Sequence, residues 1–198
     1  MIILSLLERD AALLRRAILT APQKADAIEV RLDGLQGASF PMLQALFEGA
    51  PRPLIATCRR RNDGGSFRGS ERQRSDVLWA AVRAGAAYVD VEWKSGAAVS
   101  LLGLARQHQG IGVILSSHDH RNMPERIHQR YRSMAAIPGV KVVKIVGTAR
   151  RLEDNLVARD LLSRVRNSPV PLACFCMGSA GIPSRILALE WGSWGTYA

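Results

Sequence analysis

The chain has 198 residues, 47% of them apolar and spread along its whole length, which gives one domain with a sizeable core, although an α/β barrel usually runs longer. That composition excludes a disordered segment, and no apolar run is long enough to span a membrane. The formal charge of +10 comes mainly from arginine, the only lysines being Lys24, Lys94, Lys141 and Lys144. Such a charge suits nucleic acid or an anionic substrate. No basic block is interleaved with aromatic residues as single-strand binding requires, so the arginines read as scattered over solvated helix faces. No nucleic-acid or membrane partner is expected.

The chain opens with "IILSLL" (2–7), which has neither a basic leader nor a cleavage site and reads as a first core strand rather than a signal peptide. Further β-rich runs follow at 27–33, 54–59, 88–93, 112–119, 142–149, 172–178 and 194–198. Amphipathic stretches lie between them. One is 71–84, which ends at Gly85, and another is 153–166, which precedes Asn167 and Pro169. Alternating strands and helices imply a parallel sheet, and eight strands spaced roughly 20 to 30 residues apart imply a closed (β/α)8 TIM barrel. A doubly wound dinucleotide fold would need a glycine-rich turn after the first strand, where "SLLERD" has none. With no linker or repeat, residues 1–198 form a single domain. The sequence stops at Ala198, near the end of the eighth run, so the expected barrel is one with its final helix absent. Cys58, Cys174 and Cys176 are odd in number and lie in apolar segments. They read as reduced core thiols of a cytoplasmic protein.

A barrel's active site lies at the carboxyl ends of its strands, and the polar residues gather there. They include Glu29, Arg31, Arg59, Asp90, Glu92, His118, Lys144 and Arg185. Period-two alternation turns Lys144 and His118 inward. A lysine so buried is expected to titrate toward neutrality, helped by nearby arginines, and then to act as a nucleophile on a ketone or aldehyde. The bland alternative is a strand-edge lysine that reaches water. His118 is either a proton carrier or a satisfied core histidine. Arg31, Arg59 and Arg185 pair either with a substrate carboxylate or with Glu29, Asp90 and Glu92. "SHDH" (117–120) also invites a metal reading, but three or four ligands must converge, and His108 and His128 fall away from strand ends. No metal is expected.

The segments "IEVRLD", "ATCRRRNDGG", "VDVE", "SSHDHRNMP", "VVKIV" and "MGSAGIPSRILALEWGS" occur in the order of one family and cover most of the chain. Together they resemble type I 3-dehydroquinate dehydratase of the shikimate pathway. The resemblance implies a cofactor-free (β/α)8 lyase that removes water from 3-dehydroquinate to give 3-dehydroshikimate. It implies that Lys144 forms a Schiff base with the C3 ketone. His118 would take the C2 proton and protonate the departing C1 hydroxyl. Arg185 would hold the substrate carboxylate, while Glu29, Arg31 and Arg59 would bind ring hydroxyls. Asp63 stands where the family places a glutamate that positions the histidine. Being one methylene shorter, it is expected to reach His118 at longer range or through a water. His120 takes a place where the family tends to carry an aromatic ring and reads as packing or rim, and Asp119 as a loop-fixing residue. The family continues into a site-covering loop and a closing helix, which nothing here matches. The alternative reading is therefore an inactive or ligand-binding homologue. Family members are commonly dimeric, so a homodimer is compatible.

Overall fold

The structure is a computed structural model that describes residues 1–107 and 110–198, so the expectation for His108 lies outside the described residues. Eight parallel strands form one sheet: β1 (Ile2–Leu6), β2 (Ala27–Arg31), β3 (Leu54–Thr57), β4 (Tyr88–Glu92), β5 (Gly112–His118), β6 (Val140–Thr148), β7 (Leu172–Met177) and β8 (Thr196–Tyr197). Their order is β7-β6-β5-β4-β3-β2-β1-β8. No ladder joins β7 to β8, but the Trp194 N–H donates to the Leu172 carbonyl at 2.8 Å. The Cys174 N–H donates to Ser193 Oγ at 3.1 Å. These bonds bring the edges together and leave a nearly closed barrel.

Among the described residues, seven α-helices alternate with the strands: α1 (Ala11–Leu19), α2 (Phe40–Phe47), α3 (Glu71–Arg83), α4 (Gly96–Gln107), α5 (Ile127–Ala135), α6 (Asp154–Val165) and α7 (Ile182–Leu187). The two helices read from periodicity, 71–84 and 153–166, are α3 and α6 with their ends trimmed. The start of α3 is set by a capping box, in which Ser70 Oγ accepts from the Gln73 N–H and the Gln73 side chain accepts from the Ser70 N–H. Strand β6 begins two residues before the predicted run, at a register shift opposite Val113 and Ile114. Among the described residues no helix is long and apolar enough to cross a membrane.

Alternation divides the burial. Outward side chains such as Val30, Ala56, Val89, Leu115, Val143 and Cys174 pack under the helices in the main core. Inward ones, Ile3, Ala27, Ile55, Ile114 and Val142, close the amino-terminal floor of the barrel with Tyr88 and Trp194. The Tyr88 and Trp194 rings meet edge to face, 5.4 Å between centroids. Gly112 makes room for this floor, because a Cβ there would stand 2.2 Å from Tyr88 Cδ1. Gly112→Ala is expected to destabilise the fold by about 1–3 kcal/mol through overpacking. In urea it should lower the unfolding midpoint with an unchanged m-value. An unshifted midpoint would mean that the floor has slack.

Candidate active site

Above the apolar floor the inward positions turn polar. Parallel register sets Ser5 beside Glu29, Arg31 beside Thr57, Thr57 beside Asp90, Glu92 beside Ser116, and Ser116 beside Lys144. These side chains converge at the carboxyl ends of the strands, around a cavity of about 290 Å³. Every site residue named from the sequence lines it: Lys144, His118, Asp63, Glu29, Arg31, Arg59 and Arg185.

Lys144 is buried, with Nζ 3.0 Å from Asp90 Oδ2 and 3.7 Å from Glu29 Oε1. The Tyr197 ring covers it, its centroid 3.7 Å from Nζ. The expected drift toward neutrality does not occur. Burial alone favours the neutral amine, but the neighbouring charges, Asp90 first, outweigh both burial and Arg59, and the lysine pKa is raised. The carboxylates of β2 and β4 reach the same point and reverse the effect expected from the arginines. The resting lysine is therefore an ammonium held in place, not a free amine. Glu29 is fixed in turn by hydroxyl donors, Ser5 Oγ and, at 2.8 Å, Thr57 Oγ1.

Asp90 ties the lysine to Arg59. It accepts from Arg59 Nη2 at 3.0 Å, from Ser116 Oγ at 2.6 Å and from Lys144. Burial would raise this carboxyl, but Arg59, Lys144 and the Ser116 hydroxyl outweigh it and hold the pKa well below the usual carboxylate range. Arg59 also donates to Glu92 at 3.3 Å. On its other oxygen Glu92 accepts from Arg74, a fully buried arginine of α3 that donates to Glu71 and to the Cys58 carbonyl as well. Of the alternatives left open for the arginines, Arg59 pairs with the protein's own carboxylates. Arg31 forms a two-pronged pair with Asp33, both contacts at 2.8 Å.

His118 ends β5 half-buried. Its Nδ1 lies 3.5 Å from Arg59 Nη1. Burial, and then Arg59 and Lys144, hold the imidazole well below its ordinary pKa. It is neutral at neutral pH and able to take a proton. Among the described residues no direct hydrogen bond joins Asp63 to it, and the aspartate pairs with Arg60 at 2.6 Å. The reason is local. Residues Arg61–Asp63 form a single 3-10 turn that sets Asp63 over its own neighbour. Gly65 then packs onto the Arg59 carbonyl so closely that a Cβ would lie 2.1 Å from the oxygen. His120 is exposed at the rim, stacked on His118 with centroids 6.2 Å apart. Asp119 points away and accepts from the Arg121 and Asn122 N–H groups at 3.0 Å, which fixes the loop. Among the described residues no three potential ligands converge on a metal position.

Arg185 is exposed on α7 at the cavity mouth, and its Nη2 donates to the Tyr197 carbonyl at 3.2 Å. Ser184 anchors that short helix, accepting from the Cys176 N–H and donating to the Gly181 carbonyl, both at 2.8 Å. With no carboxylate paired to it among the described residues, Arg185 is the cation left for an anionic ligand. The sequence reasoning missed Arg74 and Tyr197. Arg74 looked like one more charge on a helix face. Tyr197 sat in a short terminal run, where alternation with Thr196 was the only signal.

A (β/α)8 barrel with a buried lysine, a histidine and an exposed arginine around one cavity at the carboxyl ends of its strands has the frame of a barrel enzyme. The chain belongs to the type I 3-dehydroquinase family, whose profile matches residues 2–198. It is 32% identical over 183 residues to a 3-dehydroquinate dehydratase of Desulfotalea psychrophila, covering 87% of this chain and 76% of that one. It is 35% identical over 166 residues to the enzyme of that name from Thermococcus gammatolerans, covering 83% and 73%. The structure of 3-dehydroquinate dehydratase from Enterococcus faecalis superposes with a TM-score of 0.88 at 25% identity, covering 100% of this chain and 87% of that one.

The depressed Asp90 pKa has a definite sign. The carboxylate adds stability above its unfolded pKa of about 3.9, and that stability is lost as pH falls toward the lower folded value. Asp90→Asn is expected to cost about 3–5 kcal/mol at pH 7, because Arg59 and Lys144 lose a shared partner. It should also flatten the loss of stability below pH ~4. Denaturant titrations across pH check both, and equal slopes for the two proteins would place the acid sensitivity elsewhere.

Proposed function

We propose that the chain is a 3-dehydroquinate dehydratase, a hydro-lyase working through a Schiff base on Lys144 with His118 as general acid and base. The observation that carries this reading is the pairing of a buried Lys144 ammonium, 3.0 Å from Asp90, with a neutral imidazole at the end of the neighbouring strand. Substrate binding brings its carboxylate to Arg185 and its C3 ketone over Lys144. The ammonium passes a proton to His118, and the amine adds to C3 to give a carbinolamine. Loss of water leaves a protonated imine, whose positive charge replaces that of the ammonium between Asp90 and Glu29. The iminium acidifies the C2 hydrogen, which His118 removes. The enamine then expels the C1 hydroxyl with that proton, and water returns to cleave the imine. Arg31 and Glu29 line the same cavity and bind ring hydroxyls. No cofactor is needed, and the setting we infer is cytoplasmic.

Borohydride added with 3-dehydroquinate should fix an adduct on Lys144, visible by mass spectrometry, and Lys144→Ala should give none. Equal labelling of the variant would remove the lysine from the mechanism. The depressed His118 pKa sets the pH dependence. The imidazole stays unprotonated through neutral pH, so the acid limb of kcat/KM should lie well below pH ~6.5. A limb at 6.5 or above that vanishes in His118→Ala would show an ordinary, solvated histidine instead. A second reading, a ligand-binding homologue with little turnover, is favoured by the pairing of Asp63 with Arg60. It predicts that 3-dehydroquinate raises the melting temperature while no enone absorbance grows.

A further inference from the structure

Among the described residues, the Tyr197 hydroxyl is the one buried side-chain polar atom with no hydrogen-bond partner. Such orphans are rare in folded proteins. This one belongs to a ring that is otherwise tightly placed. The β8 backbone is pinned to β1, with the Thr196 N–H donating to the Met1 carbonyl and the Ala198 N–H to the Ile3 carbonyl, both at 2.9 Å. The ring packs against Phe175 at 5.7 Å and lies over Lys144 Nζ at 3.7 Å. It also lines the cavity. Its face therefore lies over the nucleophile, while its buried hydroxyl, beside Lys144, meets no partner at ordinary hydrogen-bond geometry.

We propose that the Tyr197 hydroxyl donates a hydrogen bond to the oxygen of the carbonyl group that Lys144 attacks. This inference rests on the Schiff-base reading above. As the Nζ electron pair forms the new C–N bond, the carbonyl π pair moves onto oxygen, and a donor beside Nζ stabilises that charge. The tyrosine keeps its own proton throughout. The two protons that the ammonium loses leave with the carbonyl oxygen as water, carried by His118, so no outside reactant is needed. Burial first, and then Glu29 and Asp90, push the hydroxyl's titration upward despite Lys144, and the group stays a donor at all pH values of interest.

Tyr197→Phe tests this, because it keeps the ring over Lys144 and removes only the hydroxyl. In the full chain, the rate of borohydride-trapped adduct formation with 3-dehydroquinate should fall about 10–100-fold. KM should change by less than about threefold if the bond forms mainly as charge develops. The melting temperature should stay level or rise, because the variant no longer buries an unpaired polar atom. Adduct formation within twofold of the parent would overturn the inference while leaving the Schiff base intact. A melting temperature several degrees lower would also overturn it, by placing the hydroxyl in a structural bond. If the parent forms no adduct, the functional reading fails first and this inference with it.

Discussion

The rest of the structure depends on a chain of buried charges that crosses the barrel mouth, Lys144 to Asp90 to Arg59 to Glu92 to Arg74. Each interior link has partners on both sides. This arrangement lets so many ions sit out of water, where an unpaired charge costs several kcal/mol. The order of strands supplies it. Glu29, Asp90 and Glu92 come from β2 and β4, and the cations from the end of β3, from β6 and from α3. Neutral hydroxyls fill the remaining sites, with Ser5 and Thr57 on Glu29 and Ser116 on Asp90. They add hydrogen bonds without adding charge, and so hold the carboxylates in place around the lysine.

The chain of charges also explains why the barrel is built in two tiers. An apolar floor of Ile3, Ala27, Ile55, Ile114 and Val142 keeps water from reaching the ions from below. The outward faces of the same strands pack under helices, so apolar layers stand around the lysine as well as below it. One residue, Arg74, links the tiers to the helical shell. It leaves α3, bonds the Cys58 carbonyl beneath the start of the β3 loop, and meets Glu92 inside. That helix is thereby set against the ends of β3 and β4, where Arg59 and Glu92 must stand.

Much of this was legible in the sequence, for a physical reason. In a parallel barrel the outward face must be apolar, so any polar residue at an alternating strand position has to point inward. Glu29, Asp90, His118 and Lys144 could be placed on that ground alone, and all the strands and the two named helices followed from periodicity. Pairing across space was not legible. Whether Arg59 meets a substrate or Asp90 depends on the stagger of neighbouring strands, which a linear pattern does not carry. The lysine's protonation state went astray for the same reason, since its sign turns on carboxylates 54 and more residues away. Asp63 shows a subtler gap. Its position in the motif suggested a partner for His118, but a 3-10 turn and one missing methylene direct it to Arg60. His120, and not an acid, is what packs beside the histidine ring.

The raised lysine pKa at first looks wrong for a nucleophile, since only the neutral amine attacks. Under the Schiff-base mechanism proposed above, the charge of the product accounts for this. A protonated imine carries the same positive charge at nearly the same place as the ammonium. Carboxylates that stabilise one therefore stabilise the other, and the neutral amine is needed only in passing. A site that lowered the lysine pKa by removing Asp90 and Glu29 would gain free amine and lose the electron sink that makes the adjacent carbon acidic. Under that mechanism the preorganised charge serves the resting ammonium and the intermediate alike. The neutral His118 complements it. Arg59 and Lys144 both oppose protonation of the ring, and under the proposed mechanism loss of the lysine's proton would remove one of those two charges. The proposed mechanism thus couples the two groups: deprotonation of the lysine would make the histidine a better base.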